Sequence, residues 1–171
     1  MALMEKRLRV GMRVPAAMVS ELLPNGDINA LHTETLFAGI RALVIGVPGA
    51  FTPICTRQHL PPFIEKADAL KRSGFNSVLC VVTSDPFSVD AWQQQIDPQR
   101  KLRMISDGNL DFTRATGLMS IERDLYLGER SCRYAMVVEN AIVTKLSVEK
   151  SVLSVTCSSA DDIVLECGAA R

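Results

Sequence analysis

Neither charge is in excess in this chain: Lys and Arg together number 19, and so do Asp and Glu. That balance leaves no electrostatic footprint for a nucleic-acid backbone or an anionic membrane, so a small molecule or another protein is the expected partner. Long apolar runs are also missing. The opening stretch MALMEKRLRVGMRVP has no apolar segment of signal-peptide length and sets Glu5 among its basic residues. Elsewhere no stretch approaches the ~18 apolar residues that a membrane span needs, and a soluble cytoplasmic protein is the expectation. Histidine is scarce, with only His32 and His59, and no Cys-x-x-Cys occurs, so neither a zinc-type ligand cluster nor a structural metal is expected. The five cysteines (Cys55, Cys80, Cys132, Cys157 and Cys167) are odd in number and irregularly spaced, a poor disulfide framework. No repeat, low-complexity tract or linker divides the 171 residues, a length suited to one domain, residues 1–171, with a sizeable core.

What is present is ordinary for a globular chain, 47% apolar and 22% charged residues, in alternating strand-like and helix-like runs. Ala16 to Leu23 reads as a strand closed by Pro24-Asn25-Gly26-Asp27, whose Asn-Gly step favours a hairpin turn. Thr33 is placed to cap a short helix through Phe37. Ala42 to Val47 is wholly apolar apart from its glycine, as a strand covered on both faces would be. From Pro53 to Ser73 the period is helical, with Leu60, Phe63, Ile64, Ala67 and Leu70 on one face and Gly74 as the stop. Pro61 and Pro62 predict a kink inside that helix. Phe75 to Thr83 is a second buried strand, and Ser84 or Asp85 caps a helix from Pro86 through about Gln95. Leu102 to Ser106 is a third strand, with a short helix near Asn109 to Thr116. Arg133 to Glu139 and Ile142 to Val148 form a hairpin about Asn140-Ala141, and Ser158 to Cys167 closes the chain as a helix. This order indicates an α/β domain with a mixed central sheet flanked by helices, and a thioredoxin-like sheet fits it.

One short stretch, VPGAFTPICTRQHLP, asks for a chemical explanation. A thiol reacts as its thiolate, and a free cysteine ionises near pH ~8.5. Cys55 falls in the first turn of the long helix, where unpaired backbone N–H groups and the helix dipole favour an anion. Pro48-Gly49 turns the chain out of the strand, Pro53 presets the helical entry, and Thr52 lies about one turn before the sulfur. The competing reading makes Cys55 a small apolar filler, as many free cysteines are. Four coordinated features around one thiol favour the reactive reading.

Pro48-x-x-x-Thr52-x-x-Cys55 resembles the active-site motif of the peroxiredoxins. The longer string PGAFTPICTRQHLP is similar to the type-five subgroup, called type two in plants. The resemblance continues through Ser84-Asp85-Pro86-Phe87, Ala91-Trp92, Arg133-Tyr134-Ala135-Met136-Val137-Val138 and Val155-Thr156-Cys157-Ser158, nearly the whole chain. It implies a thiol-dependent peroxidase on a thioredoxin-like fold, with no metal or organic cofactor. Cys55 would be the peroxidatic cysteine, attacking hydrogen peroxide or an alkyl hydroperoxide and becoming a sulfenic acid. Thr52 would hydrogen-bond the sulfur and the incoming peroxide, Pro48 would shield the pocket, and Arg133 would stabilise the thiolate and the leaving oxygen. Arg130, a near neighbour of Arg133, would point to the opposite face if one strand held both. The chain departs from the family at Pro62, where a glycine is usual, which bears on unwinding of the helix rather than on peroxide chemistry.

The same resemblance makes Cys157 and Cys80 the candidate resolving cysteines, although Cys80, in a buried strand, also reads as an inert hydrophobe. Cys132 and Cys167 match nothing, and Cys132 reads as packing. His59 reads as structural, and Phe87 and Trp92 as core or interface aromatics. Electrons would come from glutaredoxin with glutathione, or from thioredoxin, and the family's habit is a homodimer formed by loops beside the active site. Two other classes stay open at this point: a non-enzymatic peroxide sensor relaying oxidation to a partner protein, and an inactive interaction module on the same fold.

Overall fold

The computed structural model describes residues 7–168, with side chains through residue 164. Its centre is β3 (Arg41–Val47), seven residues of which six are fully buried. The strand pairs in parallel with β4 (Ser77–Val82) on one side and antiparallel with β8 (Tyr134–Glu139) on the other. Beyond β4 come β5 (Arg103–Ser106), β1 (Met18–Leu22) and β2 (Ile28–His32), and beyond β8 comes β9 (Ile142–Val148). The result is a seven-stranded mixed sheet in the order β2-β1-β5-β4-β3-β8-β9. Both hairpin turns fall at the expected dipeptides: Gly26 has φ +88°, and Asn140 and Ala141 have φ of 46° and 65°.

Because side chains alternate along a strand, β3 divides its apolar residues between two cores. Leu43, Ile45 and Val47 face a layer built by α2 (Leu60–Arg72), α3 (Pro86–Ile96) and α5 (Ala160–Gly168), which contribute Leu60, Phe63, Trp92 and Ile163. Ala42 and Val44 face the second layer, filled by Phe37 of α1 (Thr33–Phe37), Phe112 of α4 (Asp111–Thr116) and the N-terminal Leu8 and Val14. Trp92 is therefore a core residue, whereas Phe87 is 57% exposed. The mixed sheet between two helical layers agrees with the thioredoxin-like α/β expectation.

Several expectations need correction. Residue 33 is already helical and His32 holds the cap position; the Thr33 hydroxyl instead donates to the Pro15 carbonyl and accepts the N–H of Ala17, tying the N-terminal segment to the start of α1. The helix expected over Pro53 to Ser73 is not uniform. Residues Cys55–His59 form a π-helical turn, with the Leu60 N–H donating to the carbonyl of Cys55. α2 then starts at Leu60 with Pro61 and Pro62 in its first turn, where a missing N–H costs least, so the prolines begin a helix rather than kink one. A two-stranded sheet, β6 (Met119–Glu122) with β7 (Gly128–Ser131), was not expected; its strands are short and mostly exposed and carry little apolar alternation. The last helix starts at Ala160, and the Cys167 side chain lies outside the described residues.

Two details aim the chain at one end of the sheet. A Cβ on Gly46 would lie 2.0 Å from the Tyr134 ring, so only glycine lets β8 bring Tyr134 across β3 there. Arg133, immediately before β8, is thereby set beside the C-terminal end of β3, where the chain turns at Pro48 into the loop that leads to Cys55.

Candidate active site

The loop from Pro48 to Ile54 is held mostly by hydrogen bonds to neighbouring loops. Pro48 offers its carbonyl to the Thr83 hydroxyl at 2.8 Å, and the Ala50 N–H donates to Ser84 Oγ at 3.1 Å. Phe51 takes a left-handed φ of 61°, a conformation that costs free energy for a bulky residue, and its side chain is half exposed. Thr52 donates its hydroxyl to the Gly49 carbonyl at 3.1 Å, and its own carbonyl accepts the N–H and the hydroxyl of Thr56 at 3.0 and 2.8 Å. Trp92 Nε1 donates to that same Thr56 hydroxyl at 3.1 Å, pinning the turn to α3. In this arrangement the Thr52 hydroxyl is engaged with backbone rather than with the sulfur.

Cys55 has no solvent exposure, and Arg133 is 1% exposed. Arg133 Nη1 donates to Cys55 Sγ at 3.3 Å and to His59 Nδ1 at 3.0 Å, and Nε and Nη2 donate to the Val152 carbonyl at 3.2 and 2.7 Å. A guanidinium has no acceptor, so His59 Nδ1 must be bare and the imidazole proton sits on Nε2. Nε2 lies 2.9 Å from the Ser158 carbonyl, which receives that proton, and 3.2 Å from Ser158 Oγ. Ser158 Oγ in turn donates to Glu149 Oε1 at 2.8 Å. Glu149 also accepts the backbone N–H groups of Thr156, Cys157 and Ser158 and the Thr156 hydroxyl, at 2.7–2.9 Å. A continuous buried chain of hydrogen bonds therefore runs from the sulfur through Arg133, His59 and Ser158 to a carboxylate.

Burial, with the Arg133 charge beside it, lowers the His59 pKa to about 4 despite raising contributions from the Ser158 carbonyl and Glu149, so the ring is neutral near pH 7. Burial alone would raise Glu149, but the donors from Cys157, Thr156 and Ser158 outweigh it and hold the carboxyl at about 2. A cavity of about 230 Å³ adjoins Arg133, with Pro48, Thr52, Ile54, Leu127 and Val152 also in its wall. The wall is apolar apart from Arg133 and Thr52, which suits a small neutral molecule. A larger cleft of about 320 Å³ lies at the opposite, N-terminal ends of β4 and β5, but its Arg100 and Arg103 are already paired with Asp90 and Glu21.

Of the residues picked from sequence, Cys55, Thr52, Pro48 and Arg133 meet at this one place. Arg130 does not point away as expected. It lies on β7, a different strand, and its Nη1 donates to the carbonyls of Thr83 at 2.6 Å and Pro48 at 3.4 Å, bracing the loop from behind. Cys80 sits in the same core cluster as Cys55; burial raises its thiol well above the ordinary range, and the neighbouring Cys55 adds to that. Cys157 is partly buried, its thiol raised by burial and then by Glu149, and its N–H is one of those held by the carboxylate. Cys55, Cys80, Cys132 and Cys157 are all free. Sequence reasoning missed Glu149 and Ser158 and undervalued His59. For His59 a signal existed, since it stands four residues after Cys55 on the same side of a helical turn; no local pattern marks the other two.

These features define a thioredoxin-fold protein with a buried thiol held by an arginine beneath a small pocket. The chain belongs to the Redoxin family, which it matches over residues 9–164. Within it the chain is a peroxiredoxin of the type-five, plant type-two subgroup, a thiol-dependent peroxidase. It is 36% identical to peroxiredoxin-2B of Arabidopsis thaliana over 92% of this chain and 96% of that one. Peroxiredoxin-2E, chloroplastic, from the same plant is 34% identical over 92% of this chain and 68% of its own length. Reduced Prx3 from Vibrio vulnificus, solved in complex with hydrogen peroxide, superposes with a TM-score of 0.87 at 35% identity, covering 94% of this chain and 99% of that one.

The two shifted groups give the fold a definite response to acid. His59 is neutral in the folded chain down to pH about 4, while in the unfolded chain it takes up a proton below its ordinary 6.5. The unfolded state thus binds more protons in that window, and stability falls as pH drops through it. Glu149, depressed to about 2, contributes stability that is present above its ordinary 4.5 and lost below it. Between pH 7 and pH 5 the share of His59 in that loss is about 2 kcal/mol, or roughly 4–8 °C in melting temperature for a chain of this size. Circular-dichroism melts at the two pH values should show that drop; equal midpoints would mean that His59 is not held neutral.

Proposed function

We propose that Cys55 is the peroxidatic cysteine and that Arg133 is the residue that readies it. The observation that carries this reading is the 3.3 Å contact from Arg133 Nη1 to Cys55 Sγ inside a site closed to water. The Cys55 thiolate attacks one peroxide oxygen as the O–O bond breaks; the sulfur keeps that oxygen as sulfenic acid, and the other oxygen leaves with a proton as water or an alcohol. Charge builds on the departing oxygen, and the guanidinium stands where it can meet that charge. Pro48 walls the pocket, and the Thr52 hydroxyl, which gives its proton to Gly49, keeps lone pairs free to accept one from the peroxide. The apolar wall admits an alkyl hydroperoxide as well as hydrogen peroxide.

A thiol donor then returns the sulfenic acid to thiol: glutathione with glutaredoxin, or thioredoxin. The external route is the reading we favour over Cys157 or Cys80 as resolving residue. Support comes from the fastening of Cys157 by Glu149 and from the complete burial of Cys80. Free thiols suit a reducing compartment, the cytoplasm first, although one relative carries a chloroplastic designation. No helix among the described residues is long and apolar enough to cross a membrane. Exposed Phe51, Leu125 and Leu153 beside the pocket are the apolar contacts from which a homodimer would be built.

Steady-state peroxide consumption tests the chemistry. Cys55→Ser should abolish turnover with the fold intact, because a serine hydroxyl is not ionised near neutral pH. Arg133→Met should slow peroxide attack ~10²-fold or more, and Arg130→Gln, which loosens the loop only from behind, should cost far less. Turnover in Cys55→Ser, or the reverse ranking of the two arginines, would overturn the assignment. Mass spectrometry tests the rest. The native spectrum should show twice the 18.7 kDa chain, and peroxide-treated protein should carry a Cys55 sulfenic acid that a dimedone-type reagent traps. A stoichiometric Cys55–Cys157 linked peptide would establish internal resolution instead.

A further inference from the structure

Arg133 Nη1 carries two hydrogens: one meets Cys55 Sγ, and among the described residues the partner of the other is His59 Nδ1, without which a buried donor would be left unsatisfied. Nδ1 accepts only in the Nε2–H tautomer. That tautomer needs an acceptor opposite Nε2, and the Ser158 carbonyl is there at 2.9 Å. Ser158 lies in the connection between β9 and α5, which has no strand or helix of its own to fix it. Glu149 fixes it. One carboxylate gathers three consecutive backbone N–H groups, residues 156–158, together with two hydroxyls. A carboxylate that is 6% exposed and fully occupied by donors is a rigid anchor.

We propose that Glu149 is a positioning residue for the peroxidase reaction: it sets the place of Ser158, Ser158 selects the His59 tautomer, and that tautomer aims Arg133 at the Cys55 sulfur. Glu149 touches neither sulfur nor peroxide, and it acts through geometry rather than charge. Without it the 156–158 segment moves, Nε2 loses its acceptor, and the alternative Nδ1–H tautomer would face the Arg133 N–H donor to donor. The guanidinium must then turn away from the thiol. The inference rests on the reading of Cys55 as the peroxidatic residue.

The chain has only two histidines, so their imidazole nitrogens can be read singly in a long-range ¹H–¹⁵N spectrum. The wild type should show His59 as the Nε2–H form. In Glu149→Ala the spectrum should move toward the Nδ1–H form, and the second-order rate with hydrogen peroxide should fall ~10-fold or more, as misplacement of a catalytic group does. Glu149→Gln keeps an oxygen for the three backbone donors and should restore the tautomer and bring the rate within about threefold of wild type. Should the alanine variant not fold, Glu149→Asp, one methylene shorter, carries the same test with a smaller loss in both readouts. An Nδ1–H form in the wild type, an unchanged rate in the truncated variant, or a lower rate with an unchanged tautomer would each overturn the proposal. If instead Cys55 is not the peroxidatic residue, Cys55→Ser keeps its turnover while the imidazole spectrum still reports the network, so the two failures can be told apart.

Discussion

The contact between the Arg133 guanidinium and the Cys55 sulfur organises this molecule. A guanidinium at 1% exposure is costly unless each N–H it buries finds an acceptor. The acceptors given to Arg133 are one carbonyl, one imidazole nitrogen and one sulfur. No carboxylate is in ion-pair contact with it among the described residues. Sulfur therefore stands where an arginine buried in this way would ordinarily meet a carboxylate. The ordinary solution, an Asp or Glu against the arginine, would neutralise the charge and leave nothing for the thiol or for the leaving oxygen. The carboxylate of Glu149 stands at a distance, two residues removed along the hydrogen-bond chain.

That distance has a consequence for turnover. The hydrogen bonds that settle the Arg133 side chain come from two separate parts of the chain: the π turn, with Cys55 and His59, and the 149–158 segment, with Val152. The segment that carries Cys157 is also the one that holds Arg133 through Val152 and His59 through Ser158. Cys157 cannot travel toward Cys55, which a disulfide requires within ~7 Å between Cα atoms, without disturbing the Glu149 anchor on its own N–H. An internal disulfide would therefore require this segment to give up the Cys157 N–H to Glu149 hydrogen bond. An external thiol asks for a smaller change.

The sequence showed most of what is local and little of what is distant. β3 and β4 were readable because a fully buried strand is an unbroken apolar run, and α3 because Asp85 caps it and Pro86 opens it, with Asp85 Oδ1 accepting the Ser88 N–H. Cys55 was readable because its supporting residues are adjacent in the chain. The β6–β7 sheet left only a four-residue alternation in β6, Met119 and Ile121, and none in β7, too short to read as a strand pair. Arg130 was misjudged because alternation was counted across a strand break between Ser131 and Tyr134. Glu149 and Ser158 were invisible because a carboxylate that collects backbone N–H groups leaves no periodicity, and their link to His59 spans 99 residues in the case of Ser158.

The prolines after the site are the remaining departure, and the π turn gives them a physical sense. Pro61 and Pro62 have no N–H, so the carbonyls four residues earlier, those of Arg57 and Gln58, receive no α-helical bond from them. Leu60 reaches past to the Cys55 carbonyl instead, and the turn that carries the thiol is wound wide with fewer bonds of its own. Proline rings stiffen α2, but stiffness beyond residue 60 does not strengthen the turn before it. What holds that turn is external: Trp92 on Thr56, Arg133 on Cys55 and His59, and Ser158 on His59. On the proposed chemistry, oxidation would act on one of these directly, because the Arg133 contact is made to the reacting sulfur itself. A second proline in place of glycine therefore leaves the active turn dependent on outside contacts, one of which the proposed reaction would loosen, so that local opening would start at Cys55 rather than within α2.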